Sequence, residues 1–173
     1  ADGGNQCLVE PPDQGWSVGP SSVLESVNDT ISTYSKTGAL LSGPTSLNKF
    51  YNYPSAYDRT AGVVGPNVTD PVSYFDEDTQ RFYHLVLTLD GDGAGDLTGQ
   101  NHLDLAVSRS STPTTSYADW LHYSFDVTED GNSSYGINHG EYPHLRAEPN
   151  GFQAPHHPHP LFGRRQRQRG GYR

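Results

Sequence analysis

"RFYHLVLTLDGDGAGDLTGQNHLDLAVS", Arg81 to Ser108, is two runs of alternating residues joined by an Asp/Gly-rich stretch. In the first run Tyr83, Leu85, Leu87 and Leu89 alternate with Phe82, His84, Val86 and Thr88. In the second, Leu103, Leu105 and Val107 alternate with His102, Asp104, Ala106 and Ser108. Period two places one set on each face of a strand, so both runs predict β-strands with one apolar and one mixed face. The glycines and aspartates between them supply turn conformations and predict a hairpin loop over residues 90–100.

The pattern continues on both sides. Leu121, Tyr123, Phe125 and Val127 form a third alternating run, reached through a loop over 110–119 that contains Thr112-Pro113. Upstream, Val72 to Phe75 reads as a shorter strand opened by Asp70-Pro71, where proline is tolerated. A tight turn over 76–79 joins it to the quoted stretch. Four consecutive hairpin-connected strands have the size and shape of one propeller blade. Residues 22–27 and 30–35 read as strands, and Lys36-Thr37-Gly38 turns into a strand over 39–42. Residues 47–53 are aromatic but fit neither period, and a last strand is expected over 142–147. No helical periodicity is sustained anywhere.

Composition agrees with a loop-rich all-β protein. Aromatic residues are 11% although apolar residues are only 32%, and Gly and Pro number 19 and 13. The single Cys7 excludes an internal disulfide framework and a cysteine zinc site. No run of about 18 apolar residues is present, so no membrane-spanning helix is expected. The chain begins at Ala1 without a methionine or an apolar leader, which leads to the expectation of a processed or trimmed start.

Charge divides the chain in two. All 20 acidic residues precede Pro155, while five arginines and no acid follow it, in "QAPHHPHPLFGRRQRQRGGYR". Residues 1–154 are therefore expected to form the β domain and 155–173 a disordered Pro/His then Arg/Gly-rich tail. A body this acidic excludes nucleic-acid binding through its surface field. His156, His157 and His159 lie among the prolines, a loose metal-binding spacing set against a plain tail.

Four sets of residues carry chemical interest. Asp90, Asp92 and Asp96 lie in the Asp/Gly loop. An EF-hand is excluded, because Ala94 stands where position 5 needs an oxygen ligand and Asn101 where position 12 needs Glu. A looser calcium loop is weighed against an ordinary hairpin loop. Asp13, Asp70, Asp104, Glu141 and His144 form the second set; Asp70, Glu141 and His144 are the candidates for acid/base work, set against turn-capping roles. Arg59, Arg81, Arg109 and Arg146 are the cations available as a substrate clamp. The sequons at Asn28, Asn67 and Asn132 would be glycan acceptors in a secretory protein. No H-E-x-x-H, G-x-S-x-G, P-loop or C-x-x-C is present.

"PPDQGWSVGPSSVLESVNDTISTYSKTGALLSGPTSLNKFY" (11–51), "TDPVSYFDEDTQRFYHLVLTLD" (69–90), "NHLDLAVSRSSTPT" (101–114) and "GEYPHLRAEPNGF" (140–152) resemble, in order, the motifs of a family of secreted bacterial-type β-propeller proteins. The resemblance runs from Cys7 to Phe152. It implies a propeller distantly like those of sialidases, and no established activity. Members continue with further blades, so it also implies a truncated chain of about three blades, whereas closed propellers have about 4–8. The sialidase S-x-D-x-G-x-T-W box is absent.

Together these readings give an all-β, partial propeller-like array of four-stranded antiparallel blades, secreted or at the cell surface. The expected role is binding or structural, recognising a glycan or an extracellular protein, supported by calcium at Asp90, Asp92 and Asp96. Partner chains would complete the propeller. The rival is a propeller-fold glycoside hydrolase or lyase using Asp and Glu carboxylates.

Overall fold

A computed structural model describes residues 12–128, 138–141, 143–148, 151–153 and 157–160, the segments 138–141, 147–148, 151–153 and 157–160 in backbone only. The fold is all-β and antiparallel. Strands β1 (Gln14–Val18), β2 (Ser22–Val27), β3 (Thr30–Ser35) and β4 (Leu40–Ser46) form one four-stranded sheet in chain order. A short helix, α1 (Leu47–Phe50), and a two-stranded hairpin, β5 (Tyr57–Asp58) with β6 (Val63–Val64), follow. Strands β7 (Asn67–Asp76), β8 (Arg81–Gly91), β9 (Leu97–Ser108) and β10 (Trp120–Asp126) form the second four-stranded sheet, again a meander. Beyond it β11 (Asn138–Glu141) pairs with β14 (His157–Pro160), and β12 (Arg146–Glu148) with β13 (Gly151–Gln153). The sheets do not close on one another.

The predicted alternation is what packs the sheets. Leu24 and Ile31 from the first sheet meet Val68, Phe82, Val86, Ala106 and Trp120 from the second in one buried cluster. Leu47, Phe50 and Tyr51 complete it from the connecting segment. The other face of β8 and β9 carries Leu85, Leu87 and Leu103, covered by Leu89, Leu105, Val127 and Leu145. Strand β8 is thus buried on both faces. The two sheets approach most closely at β1 and β7. Ser17 and Ser73 share a hydroxyl hydrogen bond of 2.7 Å across this seam. Gly15 is required here, because a Cβ on it would sit 2.6 Å from the Pro71 carbonyl oxygen.

Four differences from the sequence expectation have physical causes. The Asp/Gly loop is shorter than 90–100, since β8 runs to Gly91 and β9 starts at Leu97, with an irregularity between Leu89 and Gly91. Strand β7 begins five residues earlier than expected and absorbs Asp70-Pro71 at a bulge between Thr69 and Val72. The last predicted strand, over 142–147, is replaced by β11 and β12 on either side of Pro143. Finally, His157–Pro160, which falls within the expected tail, pairs with β11 as β14. Pro158 and Pro160 are two apart, so both point their nitrogens to one edge of β14, and the other edge pairs. His156 and the Arg-rich end lie outside the described residues.

Candidate functional site

Three constellations collect polar or exposed aromatic side chains. The first lies at the β1–β7 seam. Asn28, in the tight β2–β3 turn, donates from Nδ2 to Asp13 Oδ2 at 3.0 Å. Its Oδ1 accepts from the Asp70 backbone N–H and from Thr69 Oγ1, each at 3.0 Å. Thr69 Oγ1 also lies 3.0 Å from Asp70 Oδ1. Asp70 sits in the left-handed region at φ 52°, within the bulge and before proline. That backbone is strained for a non-glycine residue, and the Asn28 side chain holds it by capturing its N–H. The structure therefore joins Asp13 to Asp70 through Asn28. The Asn28 amide nitrogen, which a glycan would need, is engaged inside this network. Of the remaining members of that set, His144 is exposed in the segment before β12, and Glu141 ends β11 with its side chain outside the described residues. Asn67 opens β7, and Asn132 lies outside the described residues.

The second constellation lies on the β8–β10 face that looks toward the connecting segment. Register places Thr88, His102 and Asp126 in one row and Val86, Asp104 and Ser124 in the next. Tyr53, three residues beyond α1, reaches into it. Its hydroxyl donates to Asp104 Oδ2 at 2.9 Å and lies 2.8 Å from His102 Nε2. Thr88 Oγ1 donates to the same carboxylate oxygen at 2.6 Å. With the phenol proton on Asp104, the proton between His102 and Tyr53 belongs to His102 Nε2. On the opposite side of the imidazole, Nδ1 lies 3.7 Å from Asp90 Oδ2.

The charges follow from these contacts. Burial pushes the Asp104 carboxyl up, but the His102 and Thr88 hydrogen bonds outweigh it and hold the group below its usual range. The hydrogen bond to Asp104 raises the His102 pKa against burial, and the charges of Asp104, Asp90 and Asp126 add to it. Burial, then the Asp104 charge, raises Tyr53, which keeps its proton. The result is an imidazole whose protonated form is favoured by the carboxylates that frame it and which a phenol holds, a group suited to proton donation.

The expected calcium loop does not assemble as a three-ligand group. Asp90 turns to His102. Asp92 Oδ1 accepts the backbone N–H groups of Ala94, Gly95 and Asp96 at 2.7, 3.0 and 3.2 Å, which is an Asx-type turn. These bonds hold the Asp92 carboxyl low. Among the described residues no three His, Cys, Asp or Glu side chains are grouped to hold a metal. The four arginines do not converge either. Arg81 donates to the Ser108 carbonyl, Arg109 to the Ala118 carbonyl, and Arg59 lies over the Tyr57 ring at 5.8 Å. Arg146 is exposed in β12.

The third constellation is on the face of the first sheet turned away from the second. Trp16, in the middle of β1, is 65% exposed. It stands opposite Glu25 of β2, and Tyr34 of β3 stands opposite Val23. With Lys36 from the β3–β4 turn these residues line a concavity of about 320 Å³. An exposed indole beside a phenol, a carboxylate and an ammonium offers an apolar platform with hydrogen-bonding groups at its margin.

Sequence reasoning named Asp104 but missed its partners. "HLD" at 102–104 puts two residues on one face by period two, whereas Tyr51 to Tyr53 form the turn after α1 and carry no strand period. That signal shows a shared face and not that Tyr53 meets it. Among the described residues no helix is long and apolar enough to cross a membrane. The chain matches no family model, no curated protein and no solved structure.

Proposed function

We propose that the protein is a secreted, propeller-type β-domain that binds glycans on the Trp16 face. Two four-stranded meanders stacked face to face, closest at their first strands, support the propeller-type arrangement. The observation that carries the binding role is Trp16 itself. An indole 65% exposed in the middle of edge strand β1, over a concavity rimmed by Glu25, Tyr34 and Lys36, is costly to leave to water and well shaped for the apolar face of a sugar ring. Of the two sequons among the described residues, Asn67 is the acceptor that the hydrogen bonding leaves better placed, since Asn28 is engaged with Asp13.

Glycan-array binding tests this reading. The wild-type chain is expected to bind, and Trp16→Ala to weaken binding at least tenfold, the loss of about 1.4 kcal/mol or more, with its circular dichroism unchanged. Absence of binding across the array, or equal binding by the variant, would refute it.

A second reading, a hydrolase or lyase acting on glycans, is favoured by one observation, the His102 imidazole held between Asp90 and Asp104 by Tyr53. It predicts glycan chain cleavage, followed by reducing-end release, that falls about 10²–10⁴-fold in His102→Gln. No cleavage by the wild-type chain across the array glycans would dismiss it.

A further inference from the structure

Building on the glycan-binding reading above, we infer that the ligand is an oligomeric chain of amino sugars carrying free amines, lying across Lys36 from Trp16 to Phe75. A second concavity, of about 500 Å³, lies between the β1–β2 and β7–β8 turns. Lys36 lines both concavities, so they adjoin at its side chain. Each has an aromatic group. Trp16 and Tyr34 line the first, and Phe75, its ring 4.7 Å from that of Phe82, lines the second. Together they form a groove longer than one sugar ring, which is the shape an oligomer fills.

The charge of the lining selects the class of chain. Glu25 borders the first concavity and Glu77 and Asp78 the second, against the single ammonium of Lys36. The whole chain carries a formal charge of −9, so its wider field adds to the local one. Such a groove repels uronate and sulfate chains and attracts chains bearing ammonium groups. The carboxylates are exposed, so each acts weakly and the selection is sensitive to salt.

Calorimetric titration with three tetrasaccharides, of glucosamine, N-acetylglucosamine and galacturonate, tests the inference, with a glucosamine disaccharide as the length control. The glucosamine tetramer is expected to bind at least threefold more tightly than its acetylated counterpart and than the disaccharide. That preference should shrink as salt rises from 0.05 to 0.5 M. Glu77→Gln/Asp78→Asn should narrow the preference between the two tetramers at 0.05 M salt, Glu25 and the wider field keeping part of it. Equal affinity for the two tetramers, no gain with length, or tighter binding of galacturonate would overturn the inference and leave the glycan-binding reading standing. Light scattering of the same samples covers the remaining case. If none of the sugars binds and the chain forms a dimer that Trp16→Ala abolishes, a second copy covers the Trp16 face, and both the inference and the reading fall.

Discussion

Phe50→Ala is expected to destabilise the fold by about 3–5 kcal/mol and to lower its melting temperature by roughly 10 °C. The ring is fully buried. It lies edge-on to Tyr51 at 5.0 Å, Trp120 at 5.2 Å, His122 at 5.5 Å and His84 at 5.6 Å. These partners come from the connecting segment, β8 and β10. The helix that carries Phe50 has four residues and would not form alone. Ser46 caps it through the Lys49 N–H, and the Leu47 N–H is bonded to the Asp29 carbonyl, but both bonds only orient the segment. Burial of Leu47, Phe50 and Tyr51 is what holds it in the space between the sheets. Truncating the central ring leaves a cavity that this short segment is poorly able to collapse. Urea titration compares Phe50→Ala with Phe50→Leu, for which a loss of roughly half that size is expected. A loss below about 1 kcal/mol for the alanine variant would show that the packing between the sheets does not depend on this ring.

The two middle strands of the second sheet were legible because residue type alternates along them, although burial does not follow it: β8 is buried on both faces, and in β9 Asp104, Ala106 and Ser108 are buried while Leu105 and Val107 are half-buried. β2 and β3 were legible for a related reason, their small and polar residues alternating in step with Leu24 and Ile31. β1 was not. In "QGWSV" the buried residues are Gly15 and Ser17, and the exposed ones include Trp16 and Val18. The close approach of β7 admits only small groups, so the apolar pattern is inverted and a reading by hydrophobicity misses the strand. Residues 47–53 were illegible because four helical residues are too few to show a period. The polar cluster was half legible. His102 and Asp104 share a face by spacing alone, but Tyr53 reaches them across 49 and 51 residues of sequence. Contacts at that separation depend on how the sheets pack, and local pattern does not encode it. Of the three aspartates expected in one loop, Asp90 lies in β8 and only Asp92 and Asp96 lie between β8 and β9. Their spacing does not reveal that Asp92 spends its carboxylate on backbone N–H groups while Asp90 turns to His102.

Stability is expected to fall as pH drops from 6.5 toward 4.5, by roughly 2–3 kcal/mol, because His84 is buried in its neutral form. Burial, with the neighbouring His122 adding to it, lowers the His84 pKa to about 3. The hydrogen bonds explain why the neutral ring fits. Ser26 Oγ donates to the Gly15 carbonyl at 3.1 Å, so His84 Nε2 donates to Ser26 at 3.0 Å. Nδ1 faces the Tyr51 hydroxyl at 2.8 Å, and that hydroxyl also donates to the His84 carbonyl at 3.0 Å. The groups facing the ring are Tyr51 from the connecting segment, Ser26 from β2, His122 from β10 and Phe50, and none is an anion. An unfolded chain takes up the proton near pH 6.5 and the folded one only near 3, so between these values the unfolded state binds more protons and stability rises with pH. His122, lowered chiefly by burial, acts in the same direction. His102 acts in the opposite one: its raised pKa stabilises the fold below 6.5, and that contribution is lost as pH rises through the folded value. Asp104, held low, begins to cost stability only below about 4. The window from 6.5 to 4.5 therefore reports mainly the buried imidazole. Denaturant titrations across it should show the slope in the wild-type chain and in His102→Gln. In His84→Gln, which is less stable at pH 7.5, the slope should be largely gone. An unchanged slope in that variant would place the acid sensitivity in groups other than His84.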